Sequence, residues 1–249
     1  MRRNRRAVLW GALALALLCG CGGEQDASQR HSVALVVKST QSEFFRSVFA
    51  GAEAAAAEYN LELSIAGPET EEDYETQNRL IAEAVRAGAE AIVFSAIDQE
   101  ENAAAIDAAA QAGLQIVTID SSVDSDQVST YIGTDNYAAG QMAADAVLDR
   151  VSGPLYVGVV NYDVSTANGQ ERERGASDAF AESGRAEITA VVNTLTEAGR
   201  AQADTAALLT EHPEINVLIA LNETTAVGAA QAVQQMQRAD DLWLAAFDS

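Results

Sequence analysis

Polar side chains recur immediately after short apolar runs along this chain, and these side chains are the best suited to chemistry. They occupy positions 38–40, 95–98, 120–122, 133–136, 161–163, 221–223 and 248–249. Asp, Asn, Ser and Thr exchange hydrogen bonds readily with hydroxyl groups, whereas carboxylates repel phosphate. Phe44 and Phe45 follow the first run closely, and an aromatic face packs well against the C–H face of a sugar ring. The pattern indicates a site for a hydroxyl-rich small molecule.

Motifs that would indicate an enzyme are absent from the sequence. There is no GxGxxG or GxxxxGK[ST] loop for phosphates and no GxSxG nucleophile elbow. The histidines, His31 and His212, do not follow predicted strands, where a catalytic triad would need one. Cysteine occurs only as Cys19 and Cys21, which excludes disulfides, zinc clusters and thiol nucleophiles from the rest of the chain. We predict no catalytic residue, no metal and no cofactor. An exported α/β enzyme is the alternative, and hydrolysis of a glycoside or ester by the purified protein would favour it.

The chain is strongly acidic. Asp and Glu number 37 against 15 Lys and Arg, which gives a formal net charge of −22, and four of the arginines lie within the first six residues. A body of this sign repels phosphate backbones, so nucleic acid is excluded as a partner of an extended face. Hydrophobic residues make up 48% of the 249 residues, enough for a buried core in one large or two small domains.

The first twenty residues have the layout of a signal peptide. A basic segment (1–6) precedes an apolar run of twelve residues (7–18), which is too short for a permanent membrane span of about 20 residues. Gly20-Cys21 resembles the cleavage and lipidation site of a bacterial lipobox, and residues 21–30 are small and polar, as in a tether. We predict export and lipid anchoring through Cys21, in the periplasm or at the cell surface. An ordinary secretory signal with incidental cysteines is the alternative.

The rest of the chain alternates predicted strands and helices. The predicted helices are 43–59, 73–87, 102–112, 136–150, 170–183, 200–211 and 224–238, and short apolar strands lie between them. Strands that read as continuous apolar runs between helices imply parallel sheets covered on both faces. The pattern restarts near residues 152–154, which predicts two similar doubly wound lobes, taken as residues 31–135 and 136–249. Ligands bind such folds beyond the carboxyl ends of the strands.

Seven segments, in order, resemble bacterial periplasmic sugar-binding proteins of the ribose-binding type, the receptors of ABC importers. They are VALVVKSTQSEFFRSVFAGAEAAA (33–56), GAEAIVFSAID (88–98), AGLQIVTIDSSVDSD (112–126), YIGTDNYAAGQMAA (131–144), ERERGASDAF (171–180), LLTEHPEINVLIALNETTAVGA (208–229) and LAAFDS (244–249). The same fold forms the effector domain of lactose-repressor-like regulators. The export signal and the lack of an N-terminal helix-turn-helix argue against a repressor.

The resemblance implies a role for individual residues. It assigns ligand binding to Lys38, Phe44, Phe45, Asp120, Arg172, Asn222 and Asp248, and it places Asp135 and Asn136 at the hinge. Each assignment has a structural alternative: one phenylalanine in the core, Asp120 as a turn residue, Arg172 on a solvated helix face, Asn222 as a helix cap, and Asp135-Asn136 as a cap and hinge rather than a sugar contact. Lys38 either neutralises an acidic cleft or holds a ligand carboxylate.

The sequence departs from the family pattern in three places, which leaves ribose itself open. Ser121 stands where the family often has arginine, Gln41-Ser42-Glu43 replaces an asparagine, and no second-lobe aromatic is evident near residues 197–199. The resemblance implies a monosaccharide or polyol ligand, closure of the two lobes on it, an ABC permease as partner and a monomeric state. Because relatives continue beyond the strand that ends here, the second lobe is expected to be incomplete. A sensor that feeds a chemoreceptor or kinase and a purely structural lipoprotein are the alternatives.

Overall fold

The computed structural model describes residues 30–248, which form two parallel β-sheets with helices on both faces. The first sheet has the order β2-β1-β3-β4-β5. Its strands are β1 (Ser32–Val36), β2 (Glu62–Ala66), β3 (Ala91–Phe94), β4 (Gln115–Ile119) and β5 (Thr130–Ile132), and its helices are α1 (Glu43–Glu58), α2 (Tyr74–Ala87) and α3 (Ala103–Gln111). We call these elements the first lobe.

The second sheet has the order β7-β6-β8-β9 and is also parallel throughout. Its strands are β6 (Leu155–Asn161), β7 (Ala186–Asn193), β8 (Val217–Ala220) and β9 (Trp243–Ala246), and its helices are α4 (Asn136–Arg150), α5 (Ala167–Glu182), α6 (Ala198–Glu211) and α7 (Glu223–Gln235). We call these elements the second lobe. Two doubly wound parallel sheets are the predicted fold class, which is confirmed.

Strands at the sheet centres consist mostly of apolar residues because they are largely buried on both faces. In β1, Ala34 and Val36 pack with α2 and α3, whereas Leu35 and the following Val37 pack with α1. All four residues of β8 are buried, and alternate ones join the cores on opposite faces of the second sheet. A run of this kind has no polar side to expose, so it can only be a central strand.

The helix boundaries follow local capping groups. The carboxylate of Asp73 accepts a hydrogen bond from the Thr76 backbone N–H and begins α2, and Gly88 ends it in the left-handed conformation at φ 84°. Helix α5 begins at Ala167, three residues before the predicted start at 170, because the Thr166 hydroxyl caps it by accepting from the Gly169 backbone N–H. The polar sequence there reads as a loop but forms the first turn of the helix.

Helices α4 and α5 cross at two glycines. A Cβ atom on Gly175 would overlap the carbonyl oxygen of Tyr137, and one on Gly140 would overlap the carbonyl oxygen of Arg172. The close crossing thus sets the position of the Arg172 backbone directly beside Gly140 of α4.

The N-terminal predictions concern a part of the chain outside residues 30–248. The signal peptide, the lipidation site at Cys21 and most of the tether therefore stay predictions. Within residues 30–248, every helix is too short or too polar to serve as a membrane span.

Candidate functional site

A cavity of about 320 Å³ lies between the lobes, at the carboxyl ends of strands from both sheets. We call it the interlobe cavity. All seven residues predicted to bind ligand line it: Lys38, Phe44, Phe45, Asp120, Arg172, Asn222 and Asp248. Of the two predicted hinge residues, Asn136 lines it and Asp135 is not among its lining residues. The topology therefore brings together side chains that are up to 210 residues apart in the sequence.

Lys38 is the buried cation of the first lobe, with 4% of the side chain exposed. Its Nζ lies 3.1 Å from Asp120 Oδ2 and 4.0 Å from Glu71 Oε2. Burial alone would lower the pKa of the Lys38 ammonium, but the charges of Asp120 and Glu71 outweigh burial and raise that pKa. Burial also raises the pKa of Glu71, against the opposite effect of Lys38. Lys38 therefore stays charged and neutralises acidic groups in the cavity.

Asp120 follows β4 directly and adopts a left-handed backbone with φ 57°. Its Oδ2 accepts hydrogen bonds from Ser95 Oγ at 2.8 Å and from Lys38 Nζ at 3.1 Å. Its Oδ1 accepts from Asn168 Nδ2 at 3.3 Å, a contact from the opposite lobe. The strained backbone and three donors from three elements fix this carboxylate at the cavity wall.

Arg172 is the buried cation of the second lobe. Its Nη1 donates to the Leu221 carbonyl oxygen at 2.7 Å and to Asp248 Oδ2 at 2.9 Å, and its guanidinium carbon lies 4.8 Å from the centre of the Phe247 ring. Its Nε donates to Asn136 Oδ1 at 2.9 Å. The structure excludes the solvated-face alternative for this residue.

Arg174 lies on the exposed side of α5, whereas Arg172 is buried. Its guanidinium lies over the ring of Tyr137, 5.1 Å from the ring centre, outside the cavity. Of the two arginines in the ERER run, Arg172 alone lines the cavity.

The two phenylalanines have different surroundings although they are adjacent. Phe44 is 48% exposed, whereas Phe45 is 1% exposed and packs against Leu35 and Val37. Their rings meet edge to face, with centres 5.1 Å apart. Phe45 thus belongs to the core as well as to the cavity wall, and Phe44 offers a free aromatic face.

Helix starts place the remaining predicted residues. Asn222 begins α7 with a capping box, in which its Oδ1 accepts from the Thr225 backbone N–H at 2.9 Å while its own N–H donates to Thr225 Oγ1. Asp135 caps α4 by accepting from the Ala138 N–H at 3.0 Å. Asn136 donates to the Thr134 carbonyl and accepts from Arg172. These bonds tie residues 133–135 between β5 and α4, which we call the crossing segment, to the second lobe. The helix-cap alternatives for Asn222 and Asp135 are confirmed.

Of the cavity residues that were not predicted as site residues, three are polar residues that interact with predicted ones. Glu71 lies in the loop between β2 and α2, Tyr162 follows β6, and Asn168 lies in the first turn of α5. Burial raises the pKa of Tyr162 to about 12, and its hydroxyl donates to Asn168 Oδ1 at 2.6 Å. Tyr162 stands directly after a strand, a signal that could have identified it.

The arrangement suits recognition of hydroxyl groups. Carboxylate, amide, ammonium and guanidinium groups from both lobes face one small volume, and an open aromatic face borders it. Within residues 30–248, no group of three or more His, Cys, Asp or Glu side chains is arranged to hold a metal ion. The polar groups can bind, orient and enclose a polyhydroxylated molecule by charge-assisted hydrogen bonds.

Comparison with known proteins agrees with this geometry. Residues 33–249 match the periplasmic binding protein domain family. The D-ribose/D-allose-binding protein of Pseudomonas aeruginosa is 27% identical, over 95% of this chain and 79% of its own length. A sugar transporter structure from Clostridium phytofermentans is 32% identical with a TM-score of 0.80, over 89% of this chain and 82% of that one.

A further solved structure contains a sugar. It is an ABC transporter solute binding protein from Agrobacterium vitis with bound D-fucose, 26% identical with a TM-score of 0.83, over 88% of this chain and 77% of that one. The extent of the family match, together with the fold and the site geometry, settles the resemblance seen in the sequence. The chain belongs to the periplasmic binding protein domain family and is similar to members of the ribose-binding type.

Proposed function

We propose that this chain is an extracytoplasmic lipoprotein that binds a monosaccharide or related polyol in the interlobe cavity and presents it to an ABC permease. The observation that carries the proposal is the meeting of all seven predicted residues around one cavity of about 320 Å³. This volume lies at the lower end of the range for small-molecule sites, about 300–1,000 Å³. It therefore suits a ligand of one sugar ring.

The proposed mechanism is closure of the lobes, taken as residues 31–135 and 136–249, about a hinge at Asp135 and Asn136. Contacts across the cleft support it, because Gln99 Nε2 donates to Gln170 Oε1 at 3.0 Å and the Thr196 N–H donates to Glu72 Oε1 at 3.4 Å. A ligand that contacts both lobes adds to these contacts only in the closed form and so shifts the equilibrium towards it. Recognition needs no bond to break, so no residue is given a catalytic role.

Hydroxyl recognition is assigned to the charged residues of the cavity. Lys38 and Arg172 are each already paired with carboxylates, at 3.1 Å to Asp120 and 2.9 Å to Asp248. These pairs leave no cation without a counter-charge for a ligand carboxylate, which favours an uncharged ligand and the neutralising role for Lys38. The open face of Phe44 would stack on the ring.

The experiment is a calorimetric titration of the full chain with a panel of neutral pentoses, hexoses and alditols that includes D-ribose and D-allose. We expect at least one panel member to bind, and Asp120→Ala to weaken that binding at least 100-fold while circular dichroism stays unchanged. The control is Asp126→Ala, which removes an exposed carboxylate seven residues before the crossing segment, outside the cavity. No heat with any panel member, or equal affinity of Asp120→Ala and wild type, would contradict the proposal.

The lipid anchor is tested separately. Labelled palmitate is expected to enter the wild-type protein in bacterial cells and to be lost in Cys21→Ala. Equal labelling of the two proteins would exclude Cys21 as the lipidation site. We expect the released, soluble form to sediment as a monomer.

A further inference from the structure

Asn168 connects the two lobes inside the interlobe cavity, although no prediction singled it out. It lies in the first turn of α5, is 3% exposed and lines the cavity. Its Nδ2 donates to Asp120 Oδ1 at 3.3 Å across the cleft. The described residues give Oδ1 of Asp120 no other hydrogen-bond donor, since Ser95 and Lys38 both contact Oδ2.

The side-chain amide of Asn168 is held in one orientation. The Tyr162 hydroxyl donates to its oxygen at 2.6 Å, and the Gly169 backbone N–H donates to the same oxygen at 3.0 Å. The Gly169 backbone N–H can only donate, which identifies the atom it meets as the oxygen, so the NH₂ group must be the one that meets Asp120. Rotation of the amide would bring its NH₂ group against the Gly169 N–H and its oxygen against a carboxylate.

The Asn168–Asp120 pair therefore presents one unused donor next to one unused acceptor. An amide NH₂ has two hydrogens, and within residues 30–248 only one of those on Asn168 has a partner. Oδ1 of Asp120 likewise retains a second lone pair. The two atoms are 3.3 Å apart, so a single oxygen atom can lie within hydrogen-bond distance of both.

We propose that Asn168 and Asp120 together recognise one hydroxyl group of the bound sugar, which accepts from Asn168 Nδ2 and donates to Asp120 Oδ1. The inference rests on the proposed function and adds a specificity-determining residue to it. A hydroxyl group both accepts and donates through a single oxygen atom, as two atoms 3.3 Å apart require. A methoxy group cannot donate to the carboxylate, and a deoxy position can do neither. The pair would therefore reject sugars modified at one particular carbon.

The test uses the panel sugar that binds the full chain with the lowest Kd, with its complete sets of monodeoxy and mono-O-methyl analogues. For wild type, both changes at one carbon should raise Kd about 10- to 100-fold, the loss expected for hydrogen bonds to a charged group. Asn168→Ala should weaken binding of the parent sugar about 10-fold or more and reduce the deoxy penalty at that carbon by the same factor, because the deoxy sugar never accepted from Asn168. The O-methyl penalty at that carbon should remain, because Asp120 is still present and still lacks a donor from the methoxy group. Penalties at the other carbons should stay as in wild type.

The matched control is Gln170→Ala, which removes another cross-lobe amide from the same turn of α5. Gln170 is exposed, does not line the cavity and contacts Gln99 at 3.0 Å. We expect the ratio of Kd between each analogue and the parent sugar to stay within about 2-fold of the wild-type ratio, because a cross-lobe contact outside the cavity affects all the analogues alike. If Gln170→Ala altered the analogue preferences as Asn168→Ala does, the inference would be wrong.

Asn168→Asp is the second variant, in case Asn168→Ala lacks a cooperative thermal transition. It keeps the size of the side chain and an oxygen for the Tyr162 hydroxyl, but it sets an acceptor against Asp120. It too should lose the preference at one carbon.

Three results separate the two proposals. A uniform loss over all analogues in both Asn168 variants, or a wild type that tolerates O-methylation at every carbon, overturns the role of Asn168 alone. A wild type that binds no panel member overturns the proposed function and this inference with it.

Discussion

Replacing Lys38 with methionine should destabilise the first lobe, because it removes the counter-charge of the Asp120 and Glu71 carboxylates. The side chains of Lys38, Asp120 and Glu71 are 4%, 17% and 13% exposed. Breaking a buried pair by removing one partner costs about 3–5 kcal/mol. Ser95 still donates to Asp120 and some water still reaches both carboxylates, so we expect a loss of about 3 kcal/mol in the free energy of unfolding at pH 7, measured in urea.

The control for this prediction is Arg46→Met, which breaks a 2.9 Å ion pair with Glu43 between side chains that are 61% and 76% exposed. It should cost less than about 1 kcal/mol. Lowering the pH should narrow the gap between Lys38→Met and wild type, because protonation removes the unpaired charges. Adding Asp120→Asn to Lys38→Met should recover part of the loss. If Lys38→Met were no less stable than Arg46→Met, or if the gap stayed constant with pH, the charge-neutralising role would be refuted.

Five further variants test the packing and ionisation of the protein. Phe44→Ala should weaken sugar binding with little loss of stability, whereas Phe45→Ala should cost about 3–5 kcal/mol in urea unfolding. Gly175→Ala should destabilise the α4–α5 crossing by about 1–3 kcal/mol, while Gly51→Ala, with no atom within 4 Å of the added carbon, should stabilise the protein by about 0.5–1 kcal/mol. Burial raises the pKa of Tyr162 to about 12 in the folded protein, whereas the ordinary pKa of about 10 applies in the unfolded chain. The free energy of unfolding should therefore decrease as the pH rises from about 10 to about 12. The fall should be smaller in Tyr162→Phe.

The sequence was sufficient for the layout of the fold because the apolar runs of central strands and the caps of most helices are local signals. The predicted limits of the helix at 136–150 agree with the structure residue for residue. The two-lobe arrangement followed from the repeated alternation and from the family resemblance together. Which residues the lobes share at their junction depends on how the sheets face each other, and periodicity contains no information on that.

The site residues that escaped prediction show where local reasoning ends. Asn168 lies in a polar stretch that is typical of a loop. The Thr166 cap starts α5 three residues before the predicted start, and Asn168 therefore lies in the first turn of the helix, where it lines the cavity. Glu71 is one of several acids in a run, and nothing in that run distinguishes the residue that lies beside Lys38. Phe44 and Phe45 are adjacent residues of the same type, so the sequence does not distinguish them. The packing of Phe45 against Leu35 and Val37 decides which one faces the core.

The arginines of the ERER run show the same limit on a helix. Arg172 and Arg174 lie two residues apart, Arg174 was the less likely alternative for ligand binding, and a solvated face was the alternative for Arg172. The glycines of the α4–α5 crossing bring one side of α5 against α4, and this buries Arg172 while Arg174 remains exposed. The burial of a charged residue on a helix thus follows from a tertiary contact some residues away.

A crystal structure of the full chain grown with the panel sugar of lowest Kd would examine the proposed site itself. We expect density for one sugar between the lobes, with hydroxyl groups within hydrogen-bond distance of Asp120, Asn168 and Arg172 and with the ring on Phe44. Sugar density outside the interlobe cavity, or a cavity that stays free of sugar while calorimetry reports binding, would contradict the assignment of this cavity as the binding site.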